Sequence, residues 1–339
     1  MIEGKQTASG LPRANRGQDR TGEDLKAWLN RYAESVGPSG AACPTLLQDL
    51  LETEALDENR TGLLYELLET LDALSADPVT ISCAMVHVAS LSGQDLAGIN
   101  ERLPKPVQKQ LKDLEKLKLY ESGQALSGTE RSAEGLRRLL LALVKDVRVV
   151  LIDLSWQLVL LRRAEPDSEE AVNLARETML IHAPLANRLG IRQLKWELED
   201  LSFRYVEPAQ YRKIANLVAE HRTEREAFIQ RFMEKLSTTL DEAGIPAEVK
   251  GRPKHIYSIW KKMQRKGLDF HQLFDVRAVR VLVDDLPACY SALGLVHTLW
   301  QPIPGEFDDY ITTPKGNNYQ SLQTAVANSE GKAVEVQIR

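Results

Sequence analysis

Cysteine is scarce in this chain of 339 residues, and long uncharged hydrophobic runs are missing. Cys43, Cys83 and Cys289 lie far apart without a CxxC spacing, which argues against a disulfide framework and a zinc site. The most apolar stretch, residues 136–161, contains six charged side chains, so it predicts a buried helix instead of a membrane span. Neither sign of charge dominates, and the net charge of −5 excludes a polycationic nucleic-acid binder.

The polar N-terminus has no apolar core that would indicate a signal peptide. Residues 1–23 combine glycine, serine and asparagine with charges of both signs, which is typical of a disordered lead-in. We therefore expect a cytoplasmic protein without a membrane partner, whose anion binding depends on local basic clusters.

The sequence pattern changes near residue 240, from helical leucine spacing to short β-branched segments. Leucines recur at helical spacing from residue 24 onward, and one long amphipathic helix is predicted over residues 208–243, where Gly244 and Pro246 stop it. Short β-branched segments at 278–283 and 333–338 then predict strands, with helices over 256–266 and 286–299. The predicted fold class is α+β, with an all-helical half followed by a mixed α/β half.

A basic segment and two strand-borne carboxylates stand out in the second half. Residues 251–263 read GRPKHIYSIWKKM, a glycine- and proline-containing entry into a helix with five positive or potentially positive side chains. Asp275 opens one predicted strand, and Glu335 alternates with valines on the last one. An edge strand with polar outer residues is the simpler interpretation of that last strand, but Mg²⁺ is commonly held by one or two carboxylates plus substrate phosphates.

Between these strands lie an acidic patch at 306–309 and a glycine- and asparagine-rich loop at 314–324. The loop contains Lys315 and Tyr319 together with several asparagines. Such a loop can place an amide and an aromatic ring against a purine base. Without further context, an exposed surface loop is the simpler interpretation.

The order and separation of these segments resemble the synthetase domain of the RelA/SpoT family, over about residues 248–339. The motifs that carry the resemblance are GRPKHIYSI, FDVRAVR, the YQS loop and the closing VEVQIR, and the segments APLANRLG and WELED match the family's linking helices. The resemblance implies transfer of the ATP pyrophosphate to the 3′-hydroxyl of GDP or GTP, which leaves AMP and (p)ppGpp. A general nucleotidyltransferase and a catalytically silent nucleotide-binding module remain as alternatives.

The resemblance also implies a role for individual residues. Asp275 and Glu335 would hold Mg²⁺, and Glu335 would help to deprotonate the acceptor hydroxyl. ATP would be bound by Arg252, Lys254, His255, Ser258 and Lys262. The guanine nucleotide would be bound by Asp308, Lys315, Asn317, Tyr319 and Gln323, and the supporting residues are Gln337 and Arg339.

Three positions matter for the acceptor side. Asn318 and Gln323 stand where the family usually has glycine and histidine, and Gln323 cannot titrate near neutral pH although it can donate a hydrogen bond. The pattern Glu306-x-Asp308-Asp309 resembles synthetase-only members, whereas bifunctional members have a basic residue at Asp308. We expect GDP to be favoured over GTP, because acidic side chains disfavour an additional phosphate.

The helical half resembles the HD-type hydrolase domain of bifunctional relatives, but without its metal ligands. The residue after His87 is Val88, and two later polar positions of the family fall on Trp156 and Leu160, which cannot ligate a metal. His87 alone is interpreted as a satisfied core histidine, and hydrolase activity is expected to be absent.

The predicted domains are a lead-in at 1–23, an inactive HD-like domain at 24–165, linking helices at 166–243 and a synthetase domain at 244–339. We expect the synthetase domain to be truncated at its C-terminal end. Ribosome and uncharged tRNA are implied as partners by the resemblance alone, through domains that this sequence does not contain.

Overall fold

A computed structural model of the chain describes residues 21–123, 146–220, 222–252, 255–270, 277–314, 320–328 and 331–339. The elements of the first compact unit, which ends at Val206, are α1 Gly22–Val36, a 3₁₀ turn Gly37–Gly40, α2 Ala42–Glu52, α3 Glu58–Ala73, α4 Pro78–Ser90, α5 Ala97–Arg102, α6 Lys105–Gly123, α7 Val147–Arg163, α8 Glu169–Glu177, a π-helical segment Thr178–His182, α9 Ala183–Arg188 and α10 Arg192–Val206.

Leucine-rich helix faces form the core of this first unit. On α3, Leu64, Leu67, Leu68 and Leu71 are completely buried, as their helical spacing predicts. Side-chain caps fix several helix starts, since Asp57 accepts a hydrogen bond from the backbone of Arg60 at the start of α3. No helix in the described part of the chain is both long and apolar enough to cross a bilayer.

The second compact unit begins at Glu207 and contains one mixed sheet. Its elements are α11 Pro208–Glu220, α12 Arg222–Glu242, β1 Ala247–Arg252, α13 Ile256–Lys266, β2 Ala278–Val283, α14 Leu286–Leu299, β3 Gln301–Asp309, β4 Leu322–Ala327 and β5 Ala333–Ile338. The strand order is β1-β2-β5-β4-β3. Only the β2–β5 pair is parallel, and the other pairs are antiparallel.

One face of the sheet packs on α12 and α14. The apolar core between them contains Phe232 and Leu236 of α12, Val296 of α14, and Val279 and Val336 of the sheet. The strict alternation predicted for β5 is confirmed, because Val334, Val336 and Ile338 are fully buried. The residues between them therefore point to the opposite face of the sheet.

Three sequence-based predictions about this unit are wrong. The single helix expected over 208–243 is two helices, α11 and α12. The strands β3 and β4 cover the acidic patch and the end of the loop that the sequence predicted to be irregular. Prolines at 302 and 304 and a register irregularity hide β3 from a pattern search, which fits its place at the sheet edge. The third error concerns β5, which is the central strand and not an edge strand.

Candidate active site on the polar face of the sheet

A row of polar side chains crosses all five strands on the face opposite the apolar core. Cross-strand register places Lys250 beside Arg280, Arg280 beside Gln337, Gln337 beside Gln323, and Gln323 beside Asp308. Adjacent strands lie about 4.8 Å apart, so this row spans roughly 19 Å. The row carries positive charge on β1 and β2, amides in the middle and a carboxylate on β3.

Glu335 lies one row away, on the central strand. Its row neighbours are Ala278 on β2 and Ala325 on β4, and Arg252 of β1 pairs with Ala278. The two residues paired with Glu335 across the sheet are therefore both small. The backbone N–H of Glu335 donates to the carbonyl oxygen of Arg277 at 2.9 Å, which ties this position to the residues just before β2.

The centre of the polar row contains hydrogen-bonded side chains. Gln337 is 4% exposed, and its Oε1 accepts from Nε of Arg280 at 3.4 Å. Gln323 donates through Nε2 to Oγ of Ser321 at 3.2 Å. Sequence analysis missed Arg280, although its position between the buried Val279 and Val281 was a signal that it faces the polar side.

Helix α13 contributes three of the residues predicted to bind ATP. His255 precedes the first turn of the helix, and Ser258 and Lys262 follow at spacings of three and four residues, which places all three on one helix face. Ile259, which is 1% exposed, follows His255 by four residues and precedes Lys262 by three, so its buried side chain lies next to this face.

The acidic strand β3 divides its carboxylates between two functions. Asp309 accepts hydrogen bonds at 2.9 Å from the backbone of Thr312 and Ile311, and at 3.1 Å from the Tyr290 hydroxyl. These hydrogen bonds lower the pKa of the Asp309 carboxyl, and the bond from the Thr312 backbone has the largest effect. Asp309 thus anchors the turn after β3, whereas the exposed Asp308 stands at the end of the polar row.

Several predicted site residues lie outside the part of the chain that the structure describes. These are Asp275, Lys254, Lys315, Asn317 and Tyr319. Arg252 is described by its backbone alone, and Arg339 continues the β5 pairing through its backbone N–H, which donates to Val281 at 3.0 Å. The structure therefore places one predicted catalytic residue, Glu335, on the same sheet face as three other predicted site residues. These are the acceptor-binding residues Asp308 and Gln323 and the supporting residue Gln337.

Residues 251–339, which contain every residue of this row except Lys250, match the family model described as "Region found in RelA / SpoT proteins". They belong to the RelA/SpoT family. Residues 48–192 match the model of an HD domain. An HD domain followed by a RelA/SpoT region with a mixed sheet confirms the predicted α+β fold class.

Curated relatives agree with this assignment over most of the chain. GTP pyrophosphokinase of Photobacterium angustum is 40% identical over 336 residues, which is 95% of this chain and 44% of the relative. GTP pyrophosphokinase of Escherichia coli K12 is 44% identical over 281 residues, 81% of this chain and 38% of the relative. A Synechocystis protein named probable guanosine-3′,5′-bis(diphosphate) 3′-pyrophosphohydrolase is 40% identical over 296 residues, 87% of this chain and 36% of the relative. The chain thus spans less than half the length of these relatives.

Helix α4 of the HD domain contains His87. The Nε2 atom of His87 is buried and has no hydrogen-bond partner among the described residues, so the prediction of a satisfied core histidine is wrong. Its ring meets that of Trp156 edge-on, with centroids 5.9 Å apart. Burial, and then the charge of Lys118, lower the His87 pKa to about 4, which keeps the imidazole neutral at pH 7.

A lysine-carboxylate pair lies next to this histidine. Asp153 on α7 is fully buried and forms a salt bridge with Lys118 of α6, and Nε2 of His182 lies 3.7 Å from Asp153. Among the described residues, no group of three or more His, Cys, Asp or Glu side chains could hold a metal ion.

Proposed function

We propose that this chain is a (p)ppGpp synthetase, which uses ATP as donor and GDP or GTP as acceptor. The observation that carries the proposal is the polar face of the sheet, where Glu335 lies beside the row that joins Arg280, Gln337, Gln323 and Asp308. These residues lie within the RelA/SpoT region. The name GTP pyrophosphokinase of two relatives supports the same reaction class.

The charge distribution along the row supports an orientation for the two nucleotides. Arg280 on β2, and Lys250 on β1, which also forms a salt bridge with Glu248 at 2.6 Å, lie on the side that suits the triphosphate of ATP, since guanidinium and ammonium groups bind phosphate oxygens strongly. Asp308 on β3 lies on the side proposed for the guanine nucleotide. Its carboxylate repels the additional phosphate of GTP and therefore suits GDP. Glu335 lies on the strand between these two sides.

In the proposed reaction, the ribose 3′-oxygen of the acceptor attacks the β-phosphorus of ATP. The bond from that phosphorus to the oxygen bridging it to the α-phosphate breaks, AMP leaves, and the β,γ-diphosphate stays on the 3′-oxygen. The Glu335 carboxylate accepts the hydroxyl proton. The protein acts mainly by positioning the two substrates and by stabilising charge, as in other phosphoryl transfers.

Mg²⁺ is the proposed cofactor, held by Glu335 and Asp275. Carboxylate oxygens are suitable donors for Mg²⁺, which usually takes one or two of them together with substrate phosphates and water. Such a site does not need three protein ligands, and alanines occupy the positions beside Glu335 on both neighbouring strands. The ion would offset the negative charge that develops on the transferred group.

Thin-layer chromatography with labelled ATP, Mg²⁺ and GDP or GTP tests the proposal. We expect a labelled (p)ppGpp product and release of AMP, both lost in Glu335→Gln. Release of pyrophosphate would instead establish a nucleotidyltransferase. Nucleotide binding by calorimetry without any product would establish a silent binding module.

We also propose that the HD domain has no hydrolase activity. Val88, Trp156 and Leu160 occupy positions where the resemblance requires polar metal-site residues, and Lys118 neutralises the buried Asp153. Incubation of ppGpp with the protein and Mn²⁺ measures this activity directly. We further propose a cytoplasmic location, and contacts with ribosome and uncharged tRNA for the whole protein, which ribosome co-sedimentation of the full-length protein tests.

A further inference from the structure

A cavity of about 830 Å³ opens between α4, α5 and α6 of the helical unit. Its floor is apolar, since Val86, Leu103 and Leu114 are all buried. Leu91 lines it while remaining 50% exposed, which is unusual for a leucine next to a core. The volume falls within the range of roughly 300–1,000 Å³ that is common for small-molecule sites.

The charged residues around this cavity balance one another. Lys112 and Lys118 line it together with Glu101 and Glu115, and Lys118 is also paired with the buried Asp153. The neutral His87 adds no charge. A polyphosphate would therefore gain little net attraction here.

One face of α6 forms a wall of the cavity. Gln108, Leu111, Glu115 and Lys118 recur at helical spacing along it. The leucine on this wall and the apolar floor favour an apolar ligand, because removing apolar surface from water is favourable. His87 also lines the cavity, and its Nε2 is buried away from solvent.

We infer that this cavity is a binding site for a small, predominantly apolar and uncharged molecule that carries a hydrogen-bonding group. The apolar floor supplies the binding free energy, at about 25 cal/mol per Å² of apolar surface removed from water. The side-chain amide of Asn100 and the side-chain carbonyl of Gln108, whose Nε2 donates to the Leu103 carbonyl at 2.9 Å, supply hydrogen-bonding groups at its edge. The site is separate from the proposed synthetase reaction and does not depend on it.

Fluorescence titration of the full 339-residue chain with N-phenyl-1-naphthylamine, a neutral apolar probe, tests this site. We expect saturable binding of one probe per chain. Ser90 is exposed at the edge of the cavity, and its hydroxyl donates to the His87 carbonyl at 2.7 Å. Ser90→Phe should fill the opening and weaken binding at least tenfold.

Ser35 provides the matched control. It is exposed near the end of α1, outside the cavity, and its hydroxyl donates to the Tyr32 carbonyl at 2.7 Å, also three residues earlier. Ser35→Phe adds the same ring and should leave the dissociation constant within twofold.

A second variant covers the case in which Ser90→Phe fails to fold. Leu111→Gln keeps the size of a half-buried wall residue but makes it polar, and it should also weaken binding at least tenfold, with circular dichroism as the check on folding. Absence of saturable binding would overturn the inference. Unchanged affinity in a folded variant, or displacement of the probe by inorganic triphosphate, would overturn it too.

Discussion

Glu335 is the single residue on which the proposed chemistry depends most. It lies on the central strand between Ala278 of β2 and Ala325 of β4, and replacement by glutamine removes its charge while it keeps the size of the side chain. We expect Glu335→Gln to lower the rate of (p)ppGpp synthesis far more than tenfold, because the variant loses both a metal ligand and a proton acceptor. A tenfold loss corresponds to about 1.4 kcal/mol of barrier.

Steady-state kinetics at saturating Mg²⁺ measures this effect. Glu242→Gln, at an exposed position at the end of α12, removes the same charge far along the chain and should leave the rate unchanged. A Glu335→Gln variant that retains a tenth of the rate would disprove the assignment.

Because the imidazole of His87 is largely buried, it should make the free energy of unfolding depend on pH. Its pKa is lowered to about 4 in the folded protein from an ordinary 6.5, so protons bind more tightly to the unfolded chain. The stabilisation from a neutral His87 is complete above pH 6.5 and is lost as the pH falls toward 4. The loss reaches about 3 kcal/mol at the lower end.

Urea unfolding at a series of pH values, compared between the wild type and His87→Leu, isolates this contribution. The difference in free energy of unfolding between the two proteins should shift in favour of the variant as the pH falls from 6.5 to 4. A difference that does not depend on pH would show that His87 titrates normally in the folded state.

Helix α12 stabilises the sheet by covering one of its faces. Leu236 is completely buried in the core that α12 shares with the strands. We expect Leu236→Ala to lower the free energy of unfolding by about 2–5 kcal/mol, because the lost side chain leaves a cavity. Thr238→Ala, at an exposed position two residues away, should change it by about 0.5 kcal/mol or less. Equal effects in chemical denaturation would mean that α12 does not pack as described.

The edge strand β3 is expected to set the acceptor preference through Asp308. Its carboxylate is exposed at the end of the polar row, and its repulsion of a third phosphate should make kcat/KM higher for GDP than for GTP. Asp308→Lys should move this ratio toward GTP by several-fold, since it replaces repulsion with attraction.

Asp284 offers a control for this charge reversal, because it is exposed just after β2. Asp284→Lys changes the net charge by the same amount and should leave the ratio unchanged. The two ratios, measured at low and high salt, separate a local effect from a general one, since salt screens distant charges. Equal wild-type kinetics on GDP and GTP would refute the preference.

At the scale of the whole molecule, the chain combines an HD domain with a RelA/SpoT region but is expected to perform only synthesis. Its HD domain lacks a metal-binding cluster among the described residues, while a relative named as a hydrolase aligns with 87% of the chain. We expect no release of pyrophosphate from ppGpp above background with Mn²⁺, in the wild type and in Glu335→Gln alike. Mn²⁺-dependent release in both proteins would place a working hydrolase in the HD domain.

Much of the fold was predictable because its signals are local. Helical leucine spacing predicted α3, the alternation of Val334, Val336 and Ile338 predicted β5, and Gly244 and Pro246 marked the end of α12. The RelA/SpoT resemblance was also visible in linear motifs, since each occupies a short continuous stretch of chain. These features depend on the preference of single residues and short periods, which the sequence contains in full.

Only the tertiary structure decided which residues meet. The register that places Arg280 beside Gln337 pairs residues that are 57 positions apart, and no local pattern encodes such a partner. The central place of β5 and the strands β3 and β4 were hidden for the same reason. So was the buried Nε2 of His87, which has no hydrogen-bond partner in the described part of the chain. The sequence by itself determined the elements and the family, whereas strand order, register and the surroundings of buried polar atoms depend on non-local packing that exists only in the folded chain.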